Sequence, residues 1–152
     1  MTTTTLPEIE DLCLKVNQEI RVRASLEVTF DALLEQLGPA NEMPDGTPMR
    51  MKLEAWPGGR WFRDLGDNNG HFWATVQAIK RPTLLEFSGP LMMSAAVINN
   101  VQYRLSHDGG VTLIKFHHYG FGVISAENRK NMPDGWKLII EAVKQRAEGG
   151  KK

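Results

Sequence analysis

Histidine has the widest capacity for acid–base and metal chemistry in this chain. Two of the four histidines, His117 and His118, are adjacent in a stretch that alternates like a β-strand. Neighbouring side chains of a strand point to opposite faces, so the pair cannot share a metal ion or form one catalytic dyad. If Phe116 faces the interior, His118 does too, and it could serve as a general base or bond to a ligand. The alternative is that His118 bonds only to a backbone group. The other two histidines of the chain are His71 and His107.

The carboxylates that lie in or beside predicted strands are Glu54, Asp64 and Glu86. A carboxyl group that points into an apolar cavity has a raised pKa and can act as an acid or a base. Glu54 and Glu86 are out of phase with the apolar residues beside them, which predicts that both face solvent. Asp64 stands near a turn, so none of the three offers a strong sign of an interior acid.

Tyr103 is the hydroxyl-bearing residue that alternation most clearly turns inward, because it is in phase with Val101 and Leu105. It could orient a ligand or be a core tyrosine whose hydroxyl has a protein partner. The lone Cys13 lies on the polar side of its strand without a histidine motif beside it, so it is not expected to be a nucleophile. The sequence has no zinc-ligand spacing, P-loop or dinucleotide fingerprint. A bound metal or cofactor is therefore not expected.

These residues lie on a chain whose pattern is mainly that of β-strands. Residues 12–23 alternate between apolar and polar types, which predicts a long first strand with one buried face. A short helix with Ser25 as its N-cap follows and ends at Gly38. Residues 49–119 then alternate between strands and tight turns, giving about seven strands in all. The apolar residues 91–96 lack alternation and are expected to form a strand edge or a flap near a cavity.

The last stretch, residues 131–148, is predicted to be a long amphipathic helix. Asn131 can cap its first turn, Pro133 is tolerated there because its missing N–H would be unpaired anyway, and Gly149 ends it. Grouped strands with segregated helices predict an α+β domain, in which a curved antiparallel sheet grips the terminal helix. The residues on the predicted buried face of this helix are Met132, Trp136, Ile139, Ile140, Val143 and Ala147.

Length and composition predict one globular domain. The chain has 152 residues, and its 18 basic residues balance 18 acidic ones without clustering, so a nucleic-acid partner is not expected. No apolar run approaches the ~20 residues of a membrane-spanning helix. Residues 1–11 are expected to be a flexible tail and residues 12–148 the domain. Because the N-terminal residues lack the basic and apolar regions of a signal peptide, a cytoplasmic location is expected.

Four short stretches stand out together by their order and spacing. They are Trp56-Pro57-Gly58-Gly59-Arg60, residues 76–87 with Arg81-Pro82 and Leu85-Glu86-Phe87, residues 112–121, and Asp134-Gly135-Trp136. Over residues 16–147 the chain resembles the SRPBCC superfamily of START-like, helix-grip proteins, and within it the branch named for similarity to the activator of Hsp90 ATPase. The chain departs from that pattern at residues 81–82, where the family usually has Pro-Pro, and in the loop of residues 38–48, which is expected to reshape the mouth of a pocket.

The resemblance implies a helix-grip fold, also called START- or Bet v 1-like, with a deep apolar cavity between the sheet and the long helix. Relatives use this cavity for lipids, sterols, polyketides or plant hormones, and some branches catalyse ring cyclisation or dehydration. One fold hosts unrelated activities here, so the resemblance does not assign an activity by itself.

The leading hypothesis from the sequence is a domain that binds an apolar or amphipathic small molecule and has no recognisable catalytic apparatus. The rival hypotheses are a cyclase or hydrolase that uses His118 or Tyr103, and a co-chaperone-like domain that binds a protein partner or forms a homodimer. Aromatic residues and adaptable methionines suit a cavity wall, although the same residues could fill the core completely. The residues predicted to line the pocket are Trp61, Phe87, Met92, Tyr103, Phe116, His118, Trp136 and Ile140.

Overall fold

A computed structural model describes residues 8–149, which form a curved antiparallel sheet of seven strands and two α-helices. The helices are α1 (Leu26–Leu37) and α2 (Ala126–Glu148). The sheet order is β1-β7-β6-β5-β4-β3-β2. The first strand therefore lies beside the last, and all other adjacent strands are consecutive along the chain. The predicted α+β helix-grip class is confirmed. The strands are β1 (Cys13–Val22), β2 (Met51–Leu53), β3 (Arg60–Gly66), β4 (Asn69–Lys80), β5 (Leu84–Gly89), β6 (Val97–Asp108) and β7 (Val111–Gly122).

The inner face of the sheet follows the alternation of the sequence. In β1, Leu14 and Val16 are buried while Lys15 between them is exposed. Strands β6 and β7 pair Tyr103 with Phe116, and directly opposed residues of an antiparallel pair project from the same face. The inner face therefore carries the large apolar side chains that the alternation predicts.

Helix α1 is positioned at both ends by specific bonds. Its N-cap is Ser25 as predicted, with the hydroxyl oxygen accepting from the backbone N–H of Val28 at 3.1 Å. At its other end, the indole N–H of Trp61 donates to the carbonyl oxygen of Leu37 at 2.8 Å. Since Trp61 is fully buried, this bond fixes the end of α1 against β3.

Helix α2 begins five residues earlier than the sequence pattern suggested. Its N-cap is Ser125, whose hydroxyl oxygen accepts from the backbone N–H of Asn128 at 3.0 Å, so the prediction of Asn131 as the cap is wrong. Pro133 consequently lies inside the helix, where it removes one backbone hydrogen bond. An asparagine two residues before a proline looks like a helix start, and that local signal misled the prediction. The buried face otherwise agrees, with Met132, Trp136, Ile140, Val143 and Ala147 buried and Ile139 half-buried.

The N-terminal segment is described only from residue 8 onward. A short 3-10 helix spans Ile9–Leu12, across the predicted boundary between the tail of residues 1–11 and the domain. Residues 1–7 of that stretch lie outside the described residues. Neither helix in the described part of the chain is apolar enough over a sufficient length to span a membrane.

Candidate ligand-binding site

A cleft of about 400 Å³ lies between α2, the loop of residues 41–49 and the β4 side of the sheet. Its volume falls within the range of pockets that hold small ligands. Four of its lining residues are methionines, whose flexible thioether chains adapt to irregular ligand shapes. Its apolar wall is formed by Met43, Pro44, Met49, Trp73, Met92, Met132, Trp136, Leu138, Ile139 and Ala142, and its remaining lining by Gln36, Asn41, Glu42, Asn128, Asn131 and Gly135.

The loop of residues 41–49 forms one wall of this cleft and is held by its own backbone. An isolated β-bridge joins Glu42 and Pro48. The N–H of Met43 donates to the carbonyl oxygen of Thr47 at 2.8 Å, and the N–H of Met49 donates to that of Asn41 at 2.9 Å. This loop overlaps residues 38–48, which depart from the family pattern in the sequence, and five of its residues line the cleft.

Two of the eight predicted pocket residues, Met92 and Trp136, line the cleft. Met92 belongs to the predicted flap, which forms turns rather than a strand, with Leu91 and Met93 buried on either side of it. The other six residues are not among those that line the cleft and pack in the buried core instead. They are Trp61, Phe87, Tyr103, Phe116, His118 and Ile140.

Five of the residues predicted to line the pocket are aromatic, and their rings pack against one another. Trp61 stacks on Phe87 with ring centroids 4.6 Å apart. Phe116 packs between Tyr103 and Trp136, with centroid separations of 4.9 and 5.0 Å. These rings pack against one another in the buried core, and among them only Trp136 also lines the cleft.

His118 faces inward as predicted and is fully buried. Its Nδ1 accepts from the indole N–H of Trp136 at 2.9 Å. Its Nε2 lies 2.7 Å from the Oδ1 of Asn99, whose amide nitrogen donates to the carbonyl oxygens of Gly89 and Pro90. An indole N–H can only donate and that amide oxygen can only accept, so His118 is neutral with its proton on Nε2.

Burial, reinforced by the nearby His117, lowers the pKa of His118 to about 4. Protonation would place a second N–H against the indole N–H, so the surrounding bonds also favour the neutral ring. Both ring nitrogens are occupied by protein partners. His118 in this arrangement therefore positions Trp136, and it has no nitrogen free to accept a proton from a ligand.

No family model matches this sequence, and no curated protein matches it either. Solved structures do match its fold. CalU16 from Micromonospora echinospora is 18% identical with a TM-score of 0.62, covering 91% of this chain and 76% of its own. The Aha1 dimer from Colwellia psychrerythraea is 14% identical with a TM-score of 0.65, covering 91% and 99%. The di-domain ARO/CYC protein StfQ of the steffimycin biosynthetic pathway is 11% identical with a TM-score of 0.68, covering 93% and 53%.

The chain shares the helix-grip fold of these solved structures. Sequence identities this low show the fold alone, and the site of this helix-grip domain has to be argued from its own residues.

Tyr103 of the helix-grip domain is buried, and its hydroxyl has no hydrogen-bond partner among the described residues. Burial raises the pKa of this hydroxyl well above its usual value. The sequence offered two roles, a ligand contact or a core tyrosine with a bonded hydroxyl. The structure places Tyr103 in the core, beside Phe116, without the expected partner.

His117 projects from the outer face of the sheet, as strand parity predicts. Its Nε2 lies 2.6 Å from the Oδ1 of Asn100, and its ring stacks on Tyr119 at 4.1 Å. Burial lowers the pKa of His117, with Glu86 opposing and Arg104 adding to the shift. Glu86 accepts from the Asn100 side chain at 2.8 Å on this outer face, which agrees with its predicted orientation.

Sequence reasoning missed most of the residues that line the cleft. Asn41, Met43 and Met49 lie in a loop whose sequence carries turn signals without any period, so alternation could not orient them. The methionine content was a usable signal, because Met43, Met49 and Met132 join Met92 at the cleft. Within the described residues, no group of three or more His, Cys, Asp or Glu is arranged to hold a metal ion.

Proposed function

We propose that this helix-grip domain binds an apolar or amphipathic small molecule in the cleft between α2 and the loop of residues 41–49. The observation that carries the proposal is the cleft itself, about 400 Å³ in volume and lined by four methionines and two tryptophans. Burying apolar ligand surface against such a wall provides the main driving force for binding. The fold shared with the ARO/CYC protein StfQ supports a cavity-type role.

The two sides of the cleft contribute differently to binding. Trp136 is held by its bond to His118 and by packing on Phe116, so this wall is rigid. The opposite wall, which includes Met43 and Met49, lies on a surface loop and can adjust to the shape of a ligand. A rigid aromatic wall facing an adaptable one suits a flat or elongated apolar molecule.

Tryptophan fluorescence tests the proposal, because Trp73 and Trp136 both line the cleft. Titration with 1-decanol, a sterol and a planar aromatic polyketide should change the emission of the folded protein and raise its melting temperature. A folded protein that responds to none of these probes would overturn small-molecule binding.

Blocking variants connect such a response to the cleft. Ala142→Phe places a ring in the cleft and should abolish the response, because Ala142 lines it. Gln145→Phe adds the same ring to an exposed position of the same helix that does not line the cleft, so the response should persist. Equal responses from both variants would mean that the probes bind elsewhere.

A protein-interaction role is the second candidate, and one observation favours it. Ile98 and Phe121 are cross-strand partners on the outer face of the sheet, and they are 60% and 49% exposed. Large exposed apolar residues that lie together are typical of interaction surfaces. Sedimentation velocity should show self-association that Phe121→Ser removes, whereas a monomer at all concentrations would exclude a homodimer.

A further inference from the structure

We propose that the ligand of this cleft is an uncharged amphiphile whose polar end bonds to amide side chains, and that the cleft discriminates against carboxylates. This inference rests on the proposed function and specifies its ligand class. Two independent features of the cleft lead to it, the charges of its lining and the state of two buried amides.

The lining offers no cation to an anionic ligand. Glu42 is the one ionisable residue among those that line the cleft, and none of them is a lysine, arginine or histidine. A buried carboxylate without a partner loses its hydration without compensation. The carboxylate of Glu42 is exposed and adds only a weak, screened repulsion, so desolvation is the main effect that disfavours an anionic ligand.

Two arginines beside the lining bond to protein groups. The Nε–H of Arg146 donates to the Oε1 of Gln36 at 3.3 Å, and Arg146 itself does not line the cleft. The guanidinium of Arg129 donates to the carbonyl oxygens of Cys13 and Asp11. Neither arginine is among the residues that line the cleft.

Two buried amides provide hydrogen-bonding groups instead. Gln36 and Asn41 are 6% and 3% exposed, and both line the cleft. Their amide nitrogens reach the carbonyl oxygens of Ala40 and Leu37 at 3.4 Å each, longer than the usual hydrogen-bond distance. An amide nitrogen carries two N–H donors, so each retains capacity for a ligand oxygen.

A ligand with a hydroxyl, carbonyl or amide group would satisfy these amides, whereas a plain hydrocarbon would leave them without a stronger partner. Asn128 and Asn131 of α2 add two further amides to the lining, and both are uncharged. The polar part of the cleft is therefore made of amides, whose donors and acceptors suit a neutral polar group.

A matched ligand series tests the inference on the intact chain. Isothermal titration at about pH 8, where decanoate is ionised, compares 1-decanol, decanamide and decanoate, which share an alkyl chain. Decanoate should bind about tenfold or more weakly than the two neutral ligands, because it must bury an unpaired charge. Equal or tighter binding of decanoate would overturn the inference. Binding by none of the three would count against the proposed function instead.

Charge variants make the discrimination reversible. Leu138→Lys adds a cation to the exposed edge of the lining without removing an amide, and it should tighten decanoate binding several-fold relative to 1-decanol. Gln145→Lys adds the same charge to an exposed position of α2 outside the lining and should leave decanoate weak. Recovery with both variants would show that net charge, and not the lining, sets the selectivity.

The remaining variants test the arginine and the buried amide. Arg146→Gln should leave decanoate binding unchanged, and a further loss would show that Arg146 anchors the carboxylate and would contradict the inference.

Asn41→Leu should weaken 1-decanol several-fold relative to decane, because it removes a polar partner of similar size. If Asn41→Leu does not fold, Asn131→Leu on the exposed side of the lining gives the same comparison. An unchanged preference for the alcohol in the folded variant would show that the amides do not bind the polar end.

Discussion

The indole N–H of Trp136 in α2 donates to the Nδ1 of His118 in β7 at 2.9 Å, and both residues are buried. The bond joins the long helix to the concave face of the sheet. Asn99 in the neighbouring strand β6 completes the chain at the other ring nitrogen, at 2.7 Å. Because Trp136 also lines the cleft, this buried bond fixes one wall of the candidate binding site.

Replacing Trp136 with phenylalanine should test the contribution of this bond. Trp136→Phe keeps an aromatic ring beside Phe116 but removes the N–H, which leaves the Nδ1 of His118 buried without a partner. The expected loss in the free energy of unfolding is about 1–3 kcal/mol, measured by urea denaturation. Trp56→Phe is the control, because Trp56 is 58% exposed and should tolerate the change. Equal losses in the two variants would argue against a special role for the buried bond.

The free energy of unfolding should decrease as the pH falls through the range in which His118 titrates. The pKa of His118 is about 4 in the folded protein, below the ordinary value of 6.5, so the unfolded chain takes up the proton first as the pH falls. The stabilisation is complete above about pH 6.5 and is lost toward about pH 4, amounting to about 3 kcal/mol. Denaturant unfolding across this range measures the slope.

Two variants identify the histidine that causes this dependence of stability on pH. His118→Gln should flatten the dependence on pH, whatever its effect on stability at neutral pH. His117→Gln should retain most of the dependence, although burial lowers the pKa of His117 in the same direction. A slope that survives in His118→Gln and disappears in His117→Gln would show that the outer histidine dominates.

Gly135 should be replaceable by alanine with a gain in stability. It lies inside α2, and a Cβ built at this position meets no atom within 4 Å. Alanine restricts the unfolded chain more than glycine does and favours the helix, which predicts a gain of about 1 kcal/mol. Thermal unfolding should show the melting temperature rising by about 2–4 °C. A lower melting temperature would indicate that the cleft side of α2 needs the glycine.

The same substitution at Gly120 should have the opposite effect. A Cβ at Gly120 would come within 2.5 Å of the Oδ1 of Asn99, the atom that bonds to His118. Gly120→Ala should displace this amide and cost about 1–3 kcal/mol. The Nε2 proton of His118 should exchange slowly with solvent in the natural protein and faster in the variant, as followed by NMR. A stable variant with an unchanged proton signal would contradict the bond.

The sequence by itself determined the features that depend on local periodicity. Alternation turned His118 inward and His117 outward, because successive side chains of a strand point to opposite faces whatever packs against them. Helical spacing identified the buried face of α2 that carries Trp136, and Ser25 marked the start of α1 by its capping chemistry. These signals act within a few residues along the chain, so the sequence contains them directly.

Only the tertiary structure decided which inward-facing residues meet and where space remains. Trp61 and Phe87 stack because β3, β4 and β5 bring distant residues together, and both rings are buried in the core and do not line the cleft. The cleft lies beside them because the loop of residues 41–49, which has no periodicity, folds against α2. The bond between Trp136 and His118 likewise joins different elements. Side-chain volume and the path of a loop in three dimensions set these contacts, and neither can be obtained from spacing along the chain.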